Sequence, residues 1–143
     1  MATISSAPTR DLDAVTLHAI LRLRQDVFVV EQGCAYPDID GRDVEPTTVQ
    51  FWAGSDGVDA TLRVLREPDD TERIGRVATA ASARGAGLAG ELMRAAIASC
   101  RSGSIALDAQ AHLEDWYGRF GFVRSGEGFL EDGIPHLPMT LTR

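Results

Sequence analysis

Apolar positions divide the chain by their period. Across residues 11–24, Leu12, Val15, Ala19 and Leu23 recur at helical spacing behind Asp11, a side chain able to cap a helix start. Val27 to Val30 is an apolar run too short to classify, and Cys34 to Pro46, rich in Pro, Gly and Asp, reads as a loop. Residues 49–53 and 58–65 read as two strands joined around Ser55, Asp56 and Gly57. In the second of these, Val58, Ala60, Leu62 and Val64 alternate with Asp59, Thr61 and Arg63. After a turn at Glu67 to Asp70, residues 73–79 predict a strand and 87–101 a helix. Ser104 to Asp108 then predicts a strand, and 111–120 a helix closed by Gly121. Phe122 to Ser125 and residues 136–142 complete the sheet. Hairpins followed by strand–helix–strand units predict an α/β (α+β) three-layer domain, a central mixed sheet flanked by helices. The polar segment Met1 to Arg10 has no apolar signal-peptide core and reads as a flexible tail before a single domain over 11–143.

Composition narrows the function classes. The 143 residues suit one domain with a real core, and no apolar run approaches a membrane span, so a cytoplasmic protein is expected. The net charge of −7 argues against general nucleic-acid binding and permits a cationic acceptor such as an amine. An anionic ligand must then be held by a local device. Cys34 and Cys100 form no CxxC pair and read as reduced thiols, and His18, His112 and His136 lack ligand spacing, so no metal site is expected. Asp38, Asp40 and Asp43 around Gly41 faintly resemble a calcium loop but lack its terminal Glu, and a turn with solvated acids is the better reading. A homodimer is compatible with the sequence.

The most informative stretch is Arg84-Gly85-Ala86-Gly87-Leu88-Ala89-Gly90, between a predicted strand and a predicted helix. A helix N-terminus offers unpaired N–H groups and partial positive charge, and small residues let an anion approach them, which makes a phosphate cradle. Gly85, Gly87 and Gly90 also satisfy G-x-G-x-x-G, with Asp108 about where a ribose-binding acid would stand. Against that dinucleotide reading, and the oxidoreductase it implies, Ala80 to Arg84 separate the strand from the first glycine. Only 35 residues follow Asp108, too few for further parallel units.

Arg84, Gly87 and Ala89 match Arg/Gln-x-x-Gly-x-Gly/Ala, and Gln110 to Phe122 follows with a helix ending in Trp116-Tyr117-Gly118-Arg119-Phe120-Gly121-Phe122. Together these resemble the two signatures of the GNAT superfamily of N-acetyltransferases. Val27 to Gln32, Tyr36 to Gly41, Ala109 to Leu113 and Glu131 to His136 resemble its ElaA-like branch. Gln110 stands where the superfamily often has Asn, and Trp116 replaces a usual Phe.

The resemblance implies a GNAT-like fold and an acetyl-CoA-dependent N-acetyltransferase in which an amine attacks the thioester directly. It places pantetheine beside Val77, Ala78 and Thr79, the pyrophosphate on Arg84, Gly85, Ala86, Gly87, Leu88 and Ala89, and the pantetheine amide near Gln110. It makes Tyr117 the general acid for the departing thiolate, although Leu113, Trp116, Tyr117 and Phe120 also form a core-packing stripe. Glu31 is the favoured base, with Asp38, Asp40 and His112 as alternatives. His136 and Glu131 either line the acceptor pocket or order their loop. The other functional reading is a non-catalytic acyl-CoA-binding domain.

Overall fold

The computed structural model describes residues 2–143. One sheet is formed by Thr3–Pro8 (β1), Val49–Gly54 (β2), Ala60–Arg66 (β3), Glu72–Thr79 (β4), Ser104–Gln110 (β5), Val123–Arg124 (β6), Phe129–Glu131 (β7) and Ile134–Thr142 (β8). The strand order is β1-β2-β3-β4-β5-β8-β6, with β7 on β8. Every pairing is antiparallel except β4 with β5. The helices are Ala14–Arg24 (α1), Leu88–Ser99 (α2) and Glu114–Gly118 (α3), which gives the expected mixed sheet flanked by helices.

An extra residue in β4 produces the two helical layers. Thr61 pairs with Ala78 but Arg63 with Gly75, so β4 carries a bulge, and Arg76 within it has φ +55°. In a regular strand Ile74 and Ala78 would share a face. Here Ile74 packs with Leu92, Met93 and Ala96 of α2, whereas Ala78 packs with Leu23 and Val27 on the α1 side.

Several expectations change. Residues 3–8 are not a tail: Thr3 to Pro8 pair with Gly54 to Val49. Their polar side chains suit an edge strand, and Pro8 lies at its end, where a missing N–H costs least. Met1 lies outside the described residues. Asp13, not Asp11, caps α1 by accepting the Thr16 N–H at 2.7 Å, and Val15 of the expected stripe is 80% exposed. The unclassified run lies in a π-helical continuation of α1 over Gln25–Glu31, where β-branched Val27, Val29 and Val30 crowd an ordinary helix. The second signature helix is a 3-10 turn, Ala111–Leu113, followed by α3. The unexpected β7–β8 hairpin turns on Asp132 (φ +51°) and Gly133 (φ +79°), the left-handed pair of a type I′ turn.

The alternation in β3 does not leave a polar face in water, because Thr61 and Arg63 are as buried as Leu62 and Val64. Arg63 joins a network that corrects the reading of solvated acids in the 34–46 loop. Arg24 donates to Asp38 (3.1 Å) and Asp43 (2.7 Å), and Arg63 donates twice to Asp40 (3.0 and 2.8 Å). Arg76 bonds Asp40 (3.2 Å) and the Asp38 carbonyl (3.2 Å), and the Tyr36 hydroxyl donates to Asp38 (2.7 Å). Burial pushes the Asp43 carboxyl up, but the hydrogen bond and charge of Arg24, with Gln50 and Arg63, bring it below its ordinary value. Asp40 moves the same way through Arg63, the Arg42 N–H and Arg76.

Removing one partner from such a network leaves buried charge uncompensated. Arg24→Met should therefore lower stability by about 3 kcal/mol, seen as a lower urea midpoint at unchanged slope. The depressed Asp40 and Asp43 contribute stability that is fully present above the unfolded value of 3.8 and is lost as pH falls through the lower folded values. The variant, with Asp43 less depressed, should lose less of its remaining stability as pH falls below 3.8, and its loss should level off at higher pH than that of the wild type. A midpoint change worth less than 1 kcal/mol, on the scale of an exposed pair, would remove the network from its structural role.

Candidate active site

The closed end of the β4–β5 pair is anchored. Only Glu72 with Ile105 and Arg73 with Ala106 are in register. The buried Glu72 carboxylate accepts the N–H groups of Arg101 (2.8 Å) and Ser102 (2.7 Å), fixing the chain that enters β5. Beyond Arg73 the strands diverge, and among the described residues the β5-facing edge of residues 74–79 has no strand partner. A cavity of about 790 Å³ opens there, lined by β4 and by Leu107, Asp108 and Gln110 of β5.

The glycine loop stands at the β4 end of this cavity. Gly85 (φ +87°) and Gly87 (φ +78°) take the left-handed conformation that disfavours side chains, and Gly87 leads into α2. A Cβ at either would meet nothing within 4 Å, so the backbone conformation rather than crowding calls for glycine. Among the described residues, no backbone N–H from Arg84 to Gly90 donates to a protein acceptor. Those free donors and the start of a 12-residue helix suit an anion.

The structure brings Val77, Ala78, Thr79, Arg84, Ala89, Gln110, Tyr117 and Glu31 into the lining of one cavity, whereas Gly85, Ala86, Gly87 and Leu88 continue the loop beyond it. The Arg84 guanidinium grips Glu31 with two bonds of 2.6 Å and also reaches the Thr79 carbonyl. That hydrogen bond, with the Arg84 charge, holds the Glu31 carboxyl below its ordinary value and makes it a weaker base. Local reading of the sequence missed this pair because 53 residues separate its members.

Tyr117 is buried between Trp116 and Phe122, edge to face at 4.9 and 6.5 Å between centroids. Its stripe is thus core, yet the residue also lines the cavity, and no protein group among the described residues bonds its hydroxyl. Desolvation pushes the phenol up to about 12, so it stays protonated at neutral pH. Of the alternative bases, Asp38 and Asp40 are engaged by arginines, and His112 is exposed on the 3-10 turn. Asp108, the acid of the dinucleotide reading, instead faces Arg73 at 3.4 Å. A sheet with a single parallel pair has no doubly wound nucleotide crevice, which overturns that reading.

Cys34 is half-buried at the cavity wall, and Cys100 is buried beside Glu72. Burial and the neighbouring carboxylate push the Cys100 thiol up to about 12, leaving it inert. Among the described residues, no helix is long and apolar enough to cross a membrane.

A family model described as an acetyltransferase (GNAT) domain matches residues 51–143. Protein ElaA of Escherichia coli is 39% identical over 137 residues, covering 90% of this chain and 89% of that one. A UPF0039 protein of Mycobacterium tuberculosis is 48% identical over 135 residues, covering 91% and 86%. The crystal structure of an acyl-CoA N-acyltransferase from Pseudomonas aeruginosa superimposes with a TM-score of 0.93 at 39% identity, covering 99% of this chain and 100% of that one. That of Escherichia coli ElaA gives 0.92 at 35% identity, covering 99% of each chain. With the splayed strands and glycine cradle already in place, these likenesses make the chain a member of the GNAT acetyltransferase family, in its ElaA-like branch.

Proposed function

We propose that the protein transfers the acetyl group of acetyl-CoA to an amine by direct attack. The observation that carries this reading is the run of unpaired N–H groups from Arg84 to Gly90, set beside the unpaired edge of β4. The cradle would hold the pyrophosphate, and the free edge at Val77, Ala78 and Thr79 would bond pantetheine, with Gln110 opposite. A β4 N–H aimed at the thioester oxygen would stabilise the developing oxyanion. Acetyl-CoA supplies the activated acyl group; the chain orients it and manages the protons.

Tyr117 would protonate the departing thiolate. A phenol near 12 is a weaker acid than an ordinary thiol at about 8.5, so its donation must be coupled. The phenolate must regain a proton from the attacking nitrogen as the carbon–sulfur bond breaks. The Arg84–Glu31 pair ties the pyrophosphate loop to the helix bordering the acceptor side, which suits Glu31 to positioning rather than to proton abstraction.

Acetyl-CoA at 100 times its Kd should stabilise the fold by about 2.7 kcal/mol, while NAD at equal concentration should not. An unchanged melting temperature at millimolar acetyl-CoA would count decisively against the reading. Gly87→Val should lower CoA affinity at least tenfold by calorimetry on the folded variant, since a branched residue disfavours φ +78° and shields the N–H groups. Wild-type affinity in that variant would put the phosphates elsewhere. Tyr117→Phe should keep the fold and the affinity for acetyl-CoA but slow the chemical step by roughly 10²–10⁴. Turnover within about threefold of wild type, measured where chemistry limits the rate, would return Tyr117 to a purely packing role.

A further inference from the structure

The β7–β8 hairpin places an imidazole and a carboxylate on the cavity wall. Register pairs Phe129 with His136 and Glu131 with Ile134, so these four residues share one face of the hairpin. Glu131, Ile134 and His136 all line the cavity that contains Val77, Thr79 and Tyr117. β8 also pairs His136 with Gln110, at the end of β5 where the cavity opens. The turn is braced from the other side by the Cys34 thiol, 3.7 Å from the Asp132 carbonyl.

The ring is oriented as a proton acceptor. His136 Nδ1 lies 2.7 Å from the Ile134 carbonyl, which can only accept, so Nδ1 carries the hydrogen and the lone pair of the neutral ring is on Nε2. Phe129 stacks on the imidazole at 5.7 Å between centroids and 18° between planes, restraining its rotation. Glu131 Oε2 lies 3.7 Å from Nε2. Two acceptors facing each other require a donor between them or a proton on the ring, and a substrate ammonium supplies the first. The other acids considered for this task, Glu31, Asp38 and Asp40, are all bound to arginines.

We propose that His136 is the general base of the acyl transfer and that Glu131 positions the incoming ammonium beside it. The proposal rests on the acyltransferase reading of the cavity. The R–NH3+ acceptor gives one proton to Nε2, and its freed lone pair forms the carbon–nitrogen bond to the thioester carbonyl. Collapse then breaks the carbon–sulfur bond, and the second proton lost from nitrogen ends on the thiolate. His136 returns the first proton to solvent, so each turnover yields amide, thiol and one proton. Glu131 stands against the ring, where it meets the incoming ammonium. It is the charged group against the ring, with Asp132 in the adjoining turn and Glu31 and His112 on the same cavity wall.

The test measures CoA release from acetyl-CoA with a panel of primary amines, as kcat/KM against pH, under conditions where chemistry is limiting. Wild type should lose activity at acid pH as the base is protonated. His136→Gln should lose that acid limb and run roughly 10²–10⁴ slower at neutral pH, with acetyl-CoA still stabilising it as in wild type. His136→Ala should regain activity when imidazole is added. Glu131→Gln should raise KM for the amine while retaining the acid limb, because the ammonium loses its counter-charge beside the ring; this variant decides the matter if His136 variants fail to fold. An unchanged limb with turnover within threefold in His136→Gln, or an unchanged KM for the amine in Glu131→Gln, overturns the assignment while leaving acyl transfer standing. No CoA release from any amine by the wild type overturns both.

Discussion

One added residue in β4 sets the geometry on which the molecule depends. The bulge at Arg76 sends Ile74 and Ala78 to opposite helical layers, and past the two paired positions β4 no longer runs beside β5. A left-handed, non-glycine backbone costs on the order of 1–3 kcal/mol, so something must hold it. The bonds from Arg76 to Asp38 and Asp40 do so, and those aspartates are themselves fixed by Arg24 and Arg63. Three guanidinium groups and three carboxylates thus balance within the α1 side of the sheet and define the opening between the strands.

Around that opening the chain arranges different kinds of polar group. Backbone N–H groups of the glycine loop are fixed donors, suited to an anion that must be bound and released unchanged. Side chains on α3 and the β7–β8 hairpin can exchange protons: a phenol kept protonated by burial, and an imidazole whose tautomer is fixed by a carbonyl. Arg84 lies between the two sets and reaches the π-helical segment through Glu31, so the loop and the helix end are mechanically joined.

Much of this was legible in the sequence because its signals are local. The glycine run, the strand before it and the helix after it are neighbours in the chain, and β2 through β5 and α2 appear within a residue or two of their expected ends, β5 running on to Gln110. What escaped was set by distant partners. β1 has a polar pattern, and only its pairing with β2 makes it a strand. Arg24, Asp38, Asp43 and Arg63 belong to segments whose meeting no periodicity announces. Asp40 read as a solvated acid and Glu31 as a free base because their arginines lie 23 and 53 residues onward. The β7 hairpin did have a local sign, Asp132-Gly133, which is the preferred pair for a two-residue turn. Its three-residue strand was too short to draw attention to it.

Arg76 also determines how this scaffold responds to engineering. Backbone statistics alone would recommend glycine at position 76, since it adopts φ +55° without strain. The replacement would relax the peptide and at the same time cut the tether that places the bulge, leaving Asp38 and Asp40 short of a counter-charge. A large side chain of another kind would keep the strain and lose the tether. Conventional stabilising substitutions therefore have no downhill route through this position, and improvements to the protein's robustness must be sought in other parts of the chain.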